Sequence, residues 1–228
     1  MHCLFLCIGG GFFDMDILDS VMEMIGVLAF AVSGALVAVR HRMDLFGVIM
    51  LGIITALGGG VIRDVILGIV PPSAFQSPAW GLTAAGTAVL IFLPVLRRRL
   101  TRYARFDALL QSADAVGLGI FTVHGLKTAV DAGFGENVAL LLFVAVITGV
   151  GGGILRDLLA GERPAVFVRH IYATASLAGA VLCVLLRHVT GLHAAMYISV
   201  VLIVLLRLGA RHFHWNLPKA ELLEEETK

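Results

Sequence analysis

Seven apolar runs divide the chain, each bounded by charge, proline or glycine, at roughly 20–39, 44–69, 78–96, 106–127, 137–160, 168–187 and 192–208. Each approaches the length of about 20 residues that carries an α-helix through a hydrocarbon core about 30 Å thick. The pattern predicts an all-α polytopic membrane protein with seven transmembrane helices. Composition agrees. Only 14% of the 228 residues are charged and 59% are apolar, whereas soluble domains carry about 25% charge. Mean hydropathy is +0.95. A soluble domain, a disordered chain and a disulfide scaffold are excluded.

Net charge is +1, so total charge points to no nucleic-acid partner. Its placement says more. With the N-terminus outside, thirteen basic residues fall inside: Arg40, Arg42, Arg97, Arg98, Arg99, Arg102, Arg105, Arg163, Arg169, Arg207, Arg211, Lys219 and Lys228. Two, Lys127 and Arg187, fall outside, and Arg63 and Arg156 lie within spans. The positive-inside rule therefore places the C-terminus in the cytoplasm and the multi-pass chain in a cell inner membrane. The block RRRLTRYAR at 97–105 reads as a topology determinant beside anionic lipid of the inner leaflet. His212, His214 and Trp215 belong at the inner interface, and the acidic tail is a solvated terminus. Cys3, Cys7 and Cys183 form no disulfide framework and no zinc pair. The opening MHCLFLCIGGGFFD has no basic n-region, so it does not read as a signal peptide; Met15 is the alternative start to Met1.

The second and fifth runs contain TALGGGVIRDVILG and TGVGGGILRDLLAG. Thr55 matches Thr148, Gly58, Gly59 and Gly60 match Gly151, Gly152 and Gly153, Arg63 and Asp64 match Arg156 and Asp157, and Gly68 matches Gly161. The offset is 93 residues. Upstream, FAVSGAL around Ser33 resembles FTVHGLK around His124. This reads as a duplication. Because each unit has three spans, its two copies cross the membrane in opposite directions, as an inverted repeat. The expected organisation is an outer extension at 1–16, a first three-helix repeat at 17–99, a second at 100–189, a seventh helix at 190–211 and a cytoplasmic tail at 212–228.

Each glycine in a helix costs about 0.8–1.0 kcal/mol relative to Ala, so the triplets predict a kink or break. Irregular backbone at membrane depth is tolerated only inside protein or along a watery cavity. The following Arg and Asp cost about 2.5–3.5 kcal/mol each near a span centre. Neighbouring residues point about 100° apart, so Arg63 and Asp64 need not pair; either can reach another helix. A broken helix offers carbonyls to cations and amides to anions, which leaves the sign of the permeant species open. Four such charges in two copies point to a solute pathway rather than only to fold-locking ion pairs. VIRDVILG is also similar to a segment of tRNA nucleotidyltransferases. That segment works with a metal-binding Asp-x-Asp, and here Asp14 and Asp16 lie far upstream, so no enzyme is expected.

The doubled G-G-G-x-x-R-D motif on inverted three-helix units, with a seventh helix, resembles the prokaryotic trimeric intracellular cation (TRIC) channel family, also labelled glycine-transporter-like. The resemblance covers about residues 17–208. It implies a homotrimer with one pore per protomer, lined by the second and fifth helices and passing monovalent cations, K⁺ foremost and Na⁺ next, with no cofactor. The lysine-glycine signature of animal members has no clean equivalent; Lys127 lies nearby but precedes Thr-Ala. Further pore candidates are Asp114, matched by Glu23 in the first copy, and the hydroxyls of Ser33, Thr55, Thr122 and Thr148. His124 reads as an interhelical hydrogen bond or a pH-sensitive group. The alternatives are a secondary transporter of a small neutral solute such as glycine and a non-transporting membrane scaffold.

Overall fold

The computed structural model describes residues 10–94, 103–168 and 171–213. Cys3, Cys7, Arg97, Arg98, Arg99, Arg102, Arg169, His214, Trp215, Lys219 and Lys228 lie outside the described residues, as do the side chains of Asp14, Asp16 and Arg105. The described regular structure is helical: α1 Gly10–Arg40, α2 Leu45–Leu67, α3 Ser73–Gln76, α4 Pro78–Phe92, α5 Tyr103–Ala129, α6 Val138–Leu159, α7 Ala165–Val168, α8 Ala173–Thr190 and α9 Leu192–His212. A π-helical segment, Val130–Phe134, prolongs α5.

Six helices are long and apolar enough to cross a membrane: Ile17–Arg40, Leu45–Leu67, Phe106–Phe134, Val138–Leu159, Ala173–Thr190 and Leu192–His212. The third expected span differs. Helix α4 has 15 residues, a rise of about 22 Å, short of a core about 30 Å thick. It ends because Leu93 adopts φ −57, ψ 133, and a residue before proline, here Pro94, is pushed out of the helical region. At the other boundaries, α1 starts at Gly10, so the described part of the expected 1–16 extension is helical. The sixth run, 168–187, starts at the last residue of the short α7, and its long helix is α8, Ala173–Thr190.

Local chemistry sets the helix ends. Asp44 caps α2 by accepting from the Gly47 amide at 2.7 Å, and Asn137 caps α6 by accepting from Leu140 at 3.1 Å. Helix α2 stops at Gly68, φ 73, and α6 runs to Ala160 and Gly161, φ 72. Glycine takes this left-handed conformation without the Cβ clash. It lets the amides of Ile69 and Glu162 bond back to the carbonyls of Asp64 and Asp157 at 2.8 and 2.9 Å, the arrangement of a Schellman motif.

At the centre α2 and α6 cross antiparallel. Gly58 faces Leu155, Gly59 faces Thr148 and Gly152, and Gly152 faces Thr55. A Cβ on Gly59 would stand 2.3 Å from the Thr148 carbonyl oxygen, and one on Gly152 2.1 Å from that of Thr55. The glycine triplets therefore do not break their helices, as the sequence suggested; α2 and α6 each run uninterrupted through them. The partner's backbone fills the space where side chains are missing, and the hydrogen-bond ladders stay intact.

Helices α1 and α5 flank this crossing, with the rings of Phe30 and Phe121 stacked at 5.2 Å. Small residues such as Ala31, Ala84, Ala88 and Ala145 are buried, while Phe46, Leu82, Phe143 and Leu205 face outward. Lipid gives helices no hydrophobic reason to associate, so close approach through small residues supplies the contacts.

Candidate functional site

Both copies of the motif build the same local device at the end of a long helix. In the first, Arg63 Nε donates to Asp64 Oδ1 at 2.7 Å. Asp64 Oδ2 accepts from the Ser73 amide at 2.7 Å and the Ser73 hydroxyl at 2.6 Å, and Arg63 Nη2 donates to Ser73 Oγ at 2.8 Å. In the second, Arg156 Nε donates to Asp157 Oδ1 at 2.8 Å, and Asp157 Oδ2 accepts from the Ala165 amide at 2.7 Å. Each aspartate thus ties the end of a spanning helix to the first residue of the short helix that follows, α3 or α7. A carboxylate there satisfies an amide that helix geometry leaves free. The sequence left pairing of the adjacent Arg and Asp open; in the structure the long arginine side chain folds back onto its neighbour. All four charges are buried.

The second copy carries additional partners. Arg156 Nη1 donates to Asp114 Oδ1 on α5 at 2.7 Å and to the Ser33 hydroxyl on α1. Tyr172 Oη donates to Asp114 Oδ1 at 3.1 Å, and Arg207 Nη2 on α9 donates to Asp114 Oδ2 at 3.2 Å. Arg207 also donates to the Ile171 carbonyl at 2.9 Å and lies 4.3 Å over the Tyr172 ring. Around Asp114, two arginines face two aspartates, so the local charge is balanced. Partners of this kind offset the insertion cost of each ion, and removing one from a buried pair costs about 3–5 kcal/mol.

Two cavities open beside these groups. One of about 160 Å³ is lined by Arg40, Asp114, Arg156, Asp157, Glu162 and Arg163 among others. A smaller one of about 20 Å³ touches Glu23, Gly60, Arg63, Ser73, Trp80 and Phe121. Glu23 lies near the start of the membrane-spanning part of α1, Ile17–Arg40, and Arg40 at its other end, some 25 Å apart along a helix rising 1.5 Å per residue. The cavities therefore lie toward opposite ends of the bundle, with the glycine crossing between them.

The family model described as glycine transporter matches residues 20–95 and 111–188. A chain from a structural study of conductance through TRIC cation channels superposes with a TM-score of 0.79 at 35% identity, covering 90% of this chain and 98% of that one. A prokaryotic TRIC channel crystallised in 0.5 M KCl gives 0.81 at 30% identity, covering 89% and 100%. The UPF0126 inner membrane protein YadS of Escherichia coli strain K12 is 38% identical over 89% of this chain and 96% of its own length. A UPF0126 membrane protein of Deinococcus radiodurans is 45% identical over 70% of this chain and 72% of its own. The chain belongs to the prokaryotic TRIC channel family. It is a multi-pass membrane protein.

In this TRIC family member the hydroxyl candidates are already engaged. Thr55 and Thr148 each donate to the carbonyl four residues back, at 2.6 Å, and Thr122 does so at 2.7 Å while meeting Ser176 at the same distance. That is the common behaviour of helical threonine. Lys127 pairs with Asp131 at 2.6 Å and lies 3.6 Å from Asp19. His124 Nε2 stands 3.4 Å from Glu23 Oε1. Sequence reasoning gave no role to Tyr172 or Ser73, and counted Arg207 with the interfacial charge. A signal for Arg207 was present: Ser199, Ile203, Arg207 and Ala210 are all buried, at the spacing of one helix face. An arginine on the inward stripe of an apolar helix needs a partner.

Proposed function

We propose that this chain is a monovalent-cation channel, with K⁺ as permeant ion and Na⁺ as the second candidate, acting as a homotrimer with one pathway per protomer. The observation that carries this reading is the pair of charged cavities at opposite ends of an antiparallel crossing of α2 and α6. In this reading the route between them passes beside the close crossing of α2 and α6 at Gly58–Gly60 and Gly151–Gly153, and meets Arg63, Asp64, Arg156 and Asp157. The likeness to TRIC cation channels at 30–35% identity and the trimeric naming of the Rhodobacter sphaeroides orthologue, at 35% identity, support it.

The two family-model segments and the duplicated helix-end device support a pair of three-helix units in inverted orientation, with α4 as the third span and α9 as the seventh. Membrane orientation follows the basic residues, with the N-terminus outside and anionic lipid beside the inner basic block. The reading calls for transport, not catalysis, and for no cofactor. The family description as glycine transporter favours one alternative, secondary transport of a small neutral solute.

Reconstituted vesicles decide between them. The channel dissipates an imposed K⁺ gradient with no co-substrate. Solute uptake strictly dependent on a second ion gradient, without conductance, hands the case to the transporter.

A further inference from the structure

The two halves treat their matching carboxylates differently. Asp114, in the second copy, is held by Arg156, Arg207 and Tyr172. Among the described residues, its counterpart Glu23 has no arginine within ion-pair distance. Arg63 lines the same cavity as Glu23 but spends its hydrogen bonds on Asp64 and Ser73, so the Arg63 and Asp64 charges cancel locally. What faces Glu23 within ion-pair distance is His124 Nε2, at 3.4 Å. The other ring nitrogen, Nδ1, is buried without a hydrogen-bond partner. With a neutral imidazole, the small cavity carries one uncompensated negative charge. With an imidazolium it carries none.

We propose that the Glu23 carboxylate is a cation-binding site at the mouth of the smaller cavity, and that protonation of His124 discharges it. This rests on the channel reading above. The cavity of about 20 Å³ accommodates one water-sized body, and K⁺ is of similar size. Glu23 remains 22% exposed at its side chain, so a cation reaches it without unpacking α1 from α5. A charged mouth with low-dielectric walls concentrates counter-ions and raises their rate of capture. The larger cavity, where arginines and aspartates balance, lacks this attraction.

The groups around the histidine are few. From α1 come Glu23 and, one turn earlier, Asp19; from α2 come Arg63 and Asp64. On α5 itself is Lys127, which binds Asp131 and approaches Asp19, and from α9 comes His193, on Asp19 at 3.2 Å. Helices α3 and α4 carry no titratable side chain. Arg63 and Asp64 act on Glu23 with opposite signs, His124 is the group within ion-pair distance of it, and histidine is the side chain whose charge changes between about pH 5 and 8.

The test measures K⁺ flux from vesicles holding the full chain, with equal pH on both sides, at about pH 8 and about pH 5.5. Wild-type flux is expected to fall at least about threefold in acid. His124→Gln and Glu23→Gln are both expected to flatten the profile, with Glu23→Gln also lowering flux at the higher pH. Thermal melting of each variant in detergent establishes that it is folded. If His124→Gln keeps the wild-type pH profile, or the wild type conducts equally at both pH values, the proposal is overturned while the channel reading stands. If the wild type passes no K⁺ at either pH, the channel reading itself falls.

Discussion

Replacing Gly152 by Ala tests whether the glycine triplet exists for close helix contact. A Cβ there stands 2.1 Å from the Thr55 carbonyl oxygen, against 3.4 Å for ordinary contact. The obstacle is backbone, so α2 and α6 must separate by roughly 1 Å. Overpacking of this kind costs about 1–3 kcal/mol, and a backbone clash belongs at the upper end. Alanine recovers about 1 kcal/mol of helix propensity, leaving a net loss of about 2 kcal/mol. For a chain of this size that lowers the melting temperature by about 4–8 °C.

Gly60 is the internal control. The nearest atom to its Cβ is Arg63 Nη2 at 3.8 Å, so Gly60→Ala keeps the propensity gain and rises by about 2–4 °C. Thermal melting in detergent, followed by size-exclusion chromatography, reads both. If Gly152→Ala is as stable as Gly60→Ala, the triplets are not contact surfaces and the argument fails.

Two further outcomes follow from the ion pairs. Asp64→Asn leaves the buried Arg63 without its counter-charge and is expected to cost about 3–5 kcal/mol, whereas Ser73→Ala, which removes only a hydroxyl, costs about 1–3 kcal/mol; equal losses in the same melting assay would refute the assignment of Asp64 as the anchor. Burial pushes the Glu162 carboxyl up, but the His41 hydrogen bond and the Arg40 charge outweigh it and hold the group below its ordinary range. Its contribution is therefore present above the unfolded titration and lost as pH falls through the folded one. Glu162→Gln should remove that acid-side loss, an effect under about 1 kcal/mol because the pair is partly exposed; melting curves of both proteins through the acid range give the comparison.

Apolar run length and bounding charge were enough to locate α1, α2, α5, α6, α8 and α9, because membrane helices must satisfy their own backbone bonds and so follow hydropathy closely. The third run, read as 78–96, passed over Pro94, and the structure ends α4 at Phe92, ahead of that proline. The Arg-Asp pairs were visible as chemistry but not as geometry. Helical angles alone separate neighbours, and only the downstream Ser73 and Ala165 amides explain why each aspartate turns toward the following loop. A hint lay in Pro72-Ser73-Ala74-Phe75 and Pro164-Ala165-Val166-Phe167, which extend the duplication past the motif. The glycine triplets misled for a physical reason. Propensity describes an isolated helix, whereas here the partner's backbone occupies the vacated space.

The duplicated motif explains what the halves share, and two substitutions and one added arginine explain why they differ. Ser33 in the first copy, which accepts from Arg156, is His124 in the second, where it meets Glu23. Each half thus sends one polar side chain across to the other's charged group. Ser73, whose hydroxyl bonds both Arg63 and Asp64, is Ala165 in the second copy, so Arg156 is released to reach Asp114. Arg207 then comes from α9, outside the duplication, and completes the charge balance there. These changes leave one matched carboxylate locked between arginines and the other beside a histidine. With cations drawn to Glu23 as proposed, a pathway that began symmetric would gain direction from such differences, because the charge-balanced arginine-held end lacks that attraction.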